Sequence, residues 1–150
     1  MIVDIVAWLA SLSLAVFLLW TARRRGGAFV AKAAIASIVL GMALVIGVGV
    51  VLRRLEIRPS DDVVQIAMQL LMTLLVIAML NIMNILFHGL VEMQIAFHQR
   101  FNVANLHRFP VRFVIAHRQR LKRVATILWC FAAALMLYGV WFDMRTSHTV

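Results

Sequence analysis

Between Val63 and Val91 the chain runs for 29 residues without a charged side chain or a proline. As a helix, at ~1.5 Å per residue, that stretch would be about 43 Å long, more than the roughly 30 Å of bilayer hydrocarbon. A soluble fold of 150 residues has no place for such a segment, so the rest of the chain must be arranged around a membrane crossing. Its polar residues are not scattered. At about 100° per residue, Gln69, Thr73, Asn81, Asn84, His88 and the following Glu92 fall within one arc of roughly 140°, with Met68, Met72, Met79 and Met83 opposite. Side-chain amides in hydrocarbon need partners. The polar arc should therefore pack against other helices or line water, with the methionines toward lipid or a soft contact.

Three further apolar segments place the chain among polytopic membrane proteins, as do 64% hydrophobic residues and a mean hydropathy of +0.96. The spans are read as 2–22, 33–52, 63–91 and 124–142. This leaves no room for a separate soluble catalytic domain. The formal charge of +9 lies beside the spans, where excess Lys and Arg follow from membrane topology, so nucleic-acid binding is set aside. The single cysteine, Cys130, lies within an apolar segment and can form no intrachain disulfide.

The first span carries Asp4 near its start and Arg23, Arg24 and Arg25 after its end, the reverse of a cleaved signal peptide. It reads as a retained span with its N-terminus outside. Gly26 and Gly27 make a tight connection, and in the second span Ala33, Ser37 and Gly41 put small residues on one face for close helix approach. Arg53 to Asp62 balances three basic against three acidic residues, and Pro59, Ser60, Asp61 and Asp62 mark the start of the third span. Trp8 and Trp20, and likewise Trp129 and Trp141, lie toward opposite ends of the first and fourth spans and read as interface anchors. The second and third spans, lacking Trp and Tyr, are then expected to form the packed interior or a subunit contact.

The segments 23–32 and 92–123 together hold eleven of the fifteen Lys and Arg, against four basic and five acidic residues elsewhere. The basic side is expected to be cytoplasmic, both termini to lie outside, and the setting to be a bacterial inner membrane. The fold expected is thus all-α: four transmembrane helices with a long basic cytoplasmic helical hairpin, 92–123, between the third and fourth. Apolar Phe97, Phe101 and Ala104 continue the third helix past Met93, and 106–110 should break it ahead of Pro110. Arg100, Arg108, Arg112, Arg118, Arg120, Lys122 and Arg123 offer this hairpin to anionic lipid headgroups or an acidic partner.

His98 and His117 would sit at similar heights on opposing arms with His107 at the tip, a pattern that a metal or a pH response would use. No Cys stands nearby, the only acid is Glu92, and no HxxxH or CxxC spacing occurs. His88, near the inner end of the third span, is the one intramembrane histidine and the candidate contact for haem or quinone. No other span supplies a matching axial histidine. There is no GxSxG, no phosphate-binding glycine loop and no carboxylate in a span interior, and no motif ties the chain to a family. The reading is a small subunit without catalysis of its own that packs its polar third helix against other membrane subunits or copies of itself and offers the hairpin as a docking surface. One alternative is a homo-oligomeric channel or transporter subunit lined by Gln69, Thr73, Asn81 and Asn84. The other is an electron-transfer anchor.

Overall fold

The computed structural model describes residues 2–25, 27–56 and 59–143, leaving aside the side chains of 23–31, 33, 34, 37, 40 and 44. The described residues are mostly helical, with no strand among them: α1 Ile2–Arg25, α2 Gly27–Arg54, α3 Asp61–Phe101 and α4 Val111–Tyr138, the last running into a π-helical turn, Gly139–Asp143. Three stretches are long and apolar enough to cross a membrane: Ile2–Ala22, Asp61–Phe101 and Val111–Asp143.

The helices are longer than the expected spans. The segment 23–32 is not a loop, because α1 continues through Arg25 and α2 resumes at Gly27. Long basic side chains are good helix formers, so a charge run need not end a helix. Gly26 lies outside the described residues. Helix α2 ends at Arg54 and Glu56 follows with φ 55°, the left-handed position that a glycine or asparagine usually takes after a helix. Helix α3 starts where Pro59 and Ser60 place it. Extended Ser60 supplies the first carbonyl, to the Val63 and Val64 amides at 3.0 and 3.2 Å, but its hydroxyl makes no cap bond.

At its far end α3 stops at Phe101, ahead of the break expected at 106–110. Asn102 leaves helical geometry at φ −144°, ψ 54°, with its amide still bonded to the His98 carbonyl, and Val103–Asn105 form a 3₁₀ turn. Asn102 and Asn105 bracket that turn, and asparagine side chains compete with the helix for backbone partners, so two here outweigh the apolar spacing that pointed through Ala104.

The core cluster is Ala15 of α1, Ile77 and Leu80 of α3, and Ala133 and Leu137 of α4. Helix α2 packs on α3 and α1, yet none of its described side chains is buried. Among the described side chains, the buried cluster thus comes from α1, α3 and α4. Where α2 does meet α3 the approach is close: a Cβ on Gly41 would stand 3.1 Å from Leu74 Cδ1. The Ala33 and Ser37 side chains of that small-residue stripe lie outside the described ones.

The tryptophans also turn inward. Trp8 donates to the Ala134 carbonyl at 3.3 Å and meets the Tyr138 and Phe142 rings edge-on, while Trp141 is buried and Trp129 packs on the core cluster. Only Trp20 is exposed. An indole that finds a buried carbonyl loses its reason to sit at the headgroups.

Candidate functional site

The polar arc of α3 lies against α4 within the chain. Gln69, Thr73, Asn81 and Asn84 are all buried, and Met68, Met72, Met79 and Met83 are exposed on the other side. The helices run antiparallel, so four-residue steps down α3 meet four-residue steps back along α4. Near the start of α3 Gln69 Nε2 donates to the Val140 carbonyl at 3.3 Å. Asn81 Nδ2 donates to the Ile77 carbonyl of its own helix at 2.9 Å.

Further along, the seam becomes a ladder of Asn84, His88 and Glu92 facing Thr126, Lys122 and Arg118. The Thr126 hydroxyl lies 3.2 Å from Asn84 Oδ1 and 2.9 Å from the Lys122 carbonyl, both acceptors for its single hydrogen. His88 Nε2 stands 3.3 Å from the Lys122 carbonyl and 3.4 Å from Thr126 Oγ1. A carbonyl can only accept, so the tautomer with its hydrogen on Nε2 donates to the Lys122 carbonyl, whereas the other tautomer accepts from the Thr126 hydroxyl. Ligating a haem iron through Nε2 would require giving up both contacts. The Lys122 ammonium donates to Glu92 Oε1, and Arg118 stands 4.0 Å from Glu92 Oε2. The Lys122 hydrogen bond is the largest influence on the Glu92 carboxyl; burial opposes it, and the Lys122 and Arg118 charges add to it, so the group is held below its ordinary value of 4.5.

Thr126 was not among the residues the sequence singled out. Its signal is the spacing Arg118, Lys122, Thr126, a four-residue polar stripe on α4 that complements the α3 arc. The interior also holds polar capacity that the chain does not use: Thr73 Oγ1, Asn81 Oδ1, Asn84 Nδ2 and Trp129 Nε1 are buried with no hydrogen-bond partner among the described residues.

The three hairpin histidines separate. His98 is on α3 beside Phe97, with Nδ1 buried and unpartnered. His107 is exposed in the connecting turn, and His117 stacks on Phe113 at 4.6 Å with Nδ1 3.1 Å from the Phe113 carbonyl. Among the described residues no three His, Cys, Asp or Glu gather as a metal site would require. Arg100, Arg108, Arg112, Arg118, Arg120 and Arg123 are exposed, and Lys122 is half-buried. The connecting end also exposes aromatics: Phe101, with Arg100 5.8 Å above its ring, Phe109, which is 84% exposed, and Phe113.

Comparison with known proteins adds no identity: no family matches the chain, and neither a curated protein nor a solved structure does. The class is set by composition and fold alone. It is an all-helical protein with, among the described residues, three helices long and apolar enough to cross a membrane.

Proposed function

We propose that this chain is a non-catalytic integral-membrane subunit of four spans, α2 being the fourth. Its termini lie outside, and its basic hairpin, 92–123, serves on the cytoplasmic side as a docking surface for an acidic partner. The uncharged run Ala33–Leu52 of α2 and the placement of eleven of the fifteen Lys and Arg on one side support the span count and orientation.

The observation that carries the reading is the internal use of the polar arc. Asn84 bonds to α4 and Gln69 to the π-helical turn that follows it in the same chain, so the bundle offers partners an apolar belt and one basic, aromatic-studded end rather than a polar face. A pore between copies would need those amides at the bundle surface. Exposed apolar side chains on all four helices suit helix contacts within a bilayer, where small and apolar faces pack by shape.

Native mass spectrometry of the protein extracted gently from its own membrane tests this. Mass equal to this chain plus other polypeptides supports the subunit reading. Integer multiples of this chain alone replace it with self-assembly, and added haem or quinone mass replaces it with electron transfer.

A further inference from the structure

The uncharged stretch of α3 ends at Val91 and that of α4 begins at Val124, so in the proposed span placement the hairpin between them stands past the hydrocarbon. It is nevertheless apolar along one line. A groove of about 430 Å³ follows the junction of α3 and α4 into the hairpin, with Ile95 and Val114 at its middle and Pro110 and Val111 at its far end. Its α3 wall, from Phe87 to His98, takes eleven residue steps, about 17 Å. No Lys, Arg, Asp or Glu lines it among the described residues. Phe97, Phe101 and Phe113 are exposed at the same end. Within a bilayer such surface needs no explanation, but in water an apolar channel among exposed aromatics marks a contact site.

The charge around that channel is of one sign. Glu92 is the only acid in 92–123 and is already held by Lys122 and Arg118. Arg100, Arg108, Arg112 and Arg120 are exposed, with no acidic partner among the described residues. An acyl chain would have to leave the hydrocarbon to fill the groove, and the lining offers its head no charge. A second copy of this chain would bring the same excess of Lys and Arg against these arginines. An extended peptide gains nothing from walls that are helices, whose backbone groups are already bonded. A helix with apolar residues at i, i+4, i+7 and i+11 presents one apolar line about 17 Å long and keeps its charged flanks outside the groove. We propose that the groove seats the apolar face of an amphipathic helix of a partner protein, whose acidic flanks face the surrounding arginines. This rests on the subunit reading above and gives the docking partner its chemistry.

The test uses the full chain in phosphatidylcholine nanodiscs, with empty nanodiscs as the blank, and fluorescent peptides of about 16 residues. The first carries leucine at i, i+4, i+7 and i+11 with glutamate on the flanks; the second has its composition scrambled, and the third has lysine for glutamate. The first should bind in the micromolar range, at least about tenfold tighter than either other, and lose about tenfold between about 0.05 and about 0.5 M salt. Gln94→Trp, made at an exposed position, fills the groove and should weaken binding at least about tenfold. Val111→Trp does the same from the far end. Arg100→Glu combined with Arg112→Glu should turn the preference to the lysine peptide. No binding of the first peptide overturns the proposal, equal binding of the scrambled peptide overturns the helix, and equal binding of the lysine peptide overturns the acidic flanks. Binding unchanged in both tryptophan variants overturns the groove. In native membranes a photo-cross-linker at position 94 should label residues three or four apart in one other polypeptide; labelling of lipid or of a second copy overturns the occupant. A chain that native mass spectrometry finds without other polypeptides, yet that binds the acidic helix in the groove, refutes the subunit reading and not the groove. A co-extracted subunit beside a groove that binds no peptide does the reverse.

Discussion

Asn84 and Thr126 are both fully buried and face each other across the α3–α4 seam, the Thr126 hydroxyl 3.2 Å from Asn84 Oδ1. The pair is unequal. Thr126 keeps a second acceptor in the Lys122 carbonyl, whereas Asn84 has Nδ2 unpartnered and only this contact for Oδ1. Thr126→Val therefore leaves two orphan polar atoms on one buried amide and should destabilise the protein by about 1 kcal/mol or more. Asn84→Leu removes the amide altogether and should cost less than Thr126→Val. Equilibrium unfolding in micelles or bicelles orders the two variants, and a larger loss for Asn84→Leu would refute the assignment of the unmet groups. In the double variant the costs should fall short of additivity by roughly 0.5 kcal/mol.

Glu92 joins the two arms of the hairpin through Lys122 and Arg118, and its pH response follows in sign. The folded carboxyl titrates below its unfolded value of 4.5 because Lys122 donates to it and both cations favour its charge. Its contribution is complete above about pH 4.5 and is lost as pH falls through the lower, folded value. Amide exchange in 93–101 and 111–121 should accelerate over that window. Glu92→Gln should flatten the acid response while leaving exchange slightly faster at neutral pH. Added salt should act in the same direction, since the carboxylate is exposed and screened.

Much of this seam could be read from residue spacing, for a physical reason. Amides are costly in hydrocarbon, so Gln69, Thr73, Asn81 and Asn84 on one arc define a face before any partner is known. Helix α3 starts where Pro59 and Ser60 place it because proline restricts the backbone locally. The tryptophans and α2 were not legible in the same way. The indole of Trp8 is equally suited to a headgroup layer or to the Ala134 carbonyl, and only tertiary packing decides. An all-apolar helix such as α2 carries no face that distinguishes centre from flank when lipid and protein interior are equally apolar. Thr126 was overlooked because a lone threonine on α4 has meaning only beside Asn84.

At Gly41 α2 comes close to α3, and substitution there should be graded by size. An alanine Cβ would lie 3.1 Å from Leu74 Cδ1, the mobile end of a side chain, so Gly41→Ala should cost less than about 1 kcal/mol. Gly41→Leu cannot be relieved by one methyl and should cost roughly 1–3 kcal/mol while loosening α2 from the bundle. Gly47 and Gly49 face open space, so alanine there should be neutral or mildly stabilising through helix propensity. Disulfide cross-linking between cysteines placed on α2 and α3, together with unfolding midpoints, reads both effects. Equal costs at Gly41 and Gly47 would show that the close approach is not a constraint.

The orientation proposed for the bundle places Phe109, the most exposed aromatic of the hairpin, on the cytoplasmic side, and Asp61 at the start of α3 on the other. The warrant is the asymmetry of Lys and Arg, which biases the basic 23–32 and 92–123 to stay inside during insertion. With Cys130→Ser removing the native thiol, a cysteine at position 109 should react with a membrane-impermeant maleimide only in inverted vesicles. One at position 61 should react only in intact cells stripped of their outer barrier. Both sites reacting from the same side would require an even number of crossings between them and so change the span count. Both reacting on the opposite sides to those expected would keep four spans and invert the molecule. In that case the positive residues of 92–123 would face outward, against the insertion bias, and the acidic partner would have to be sought there.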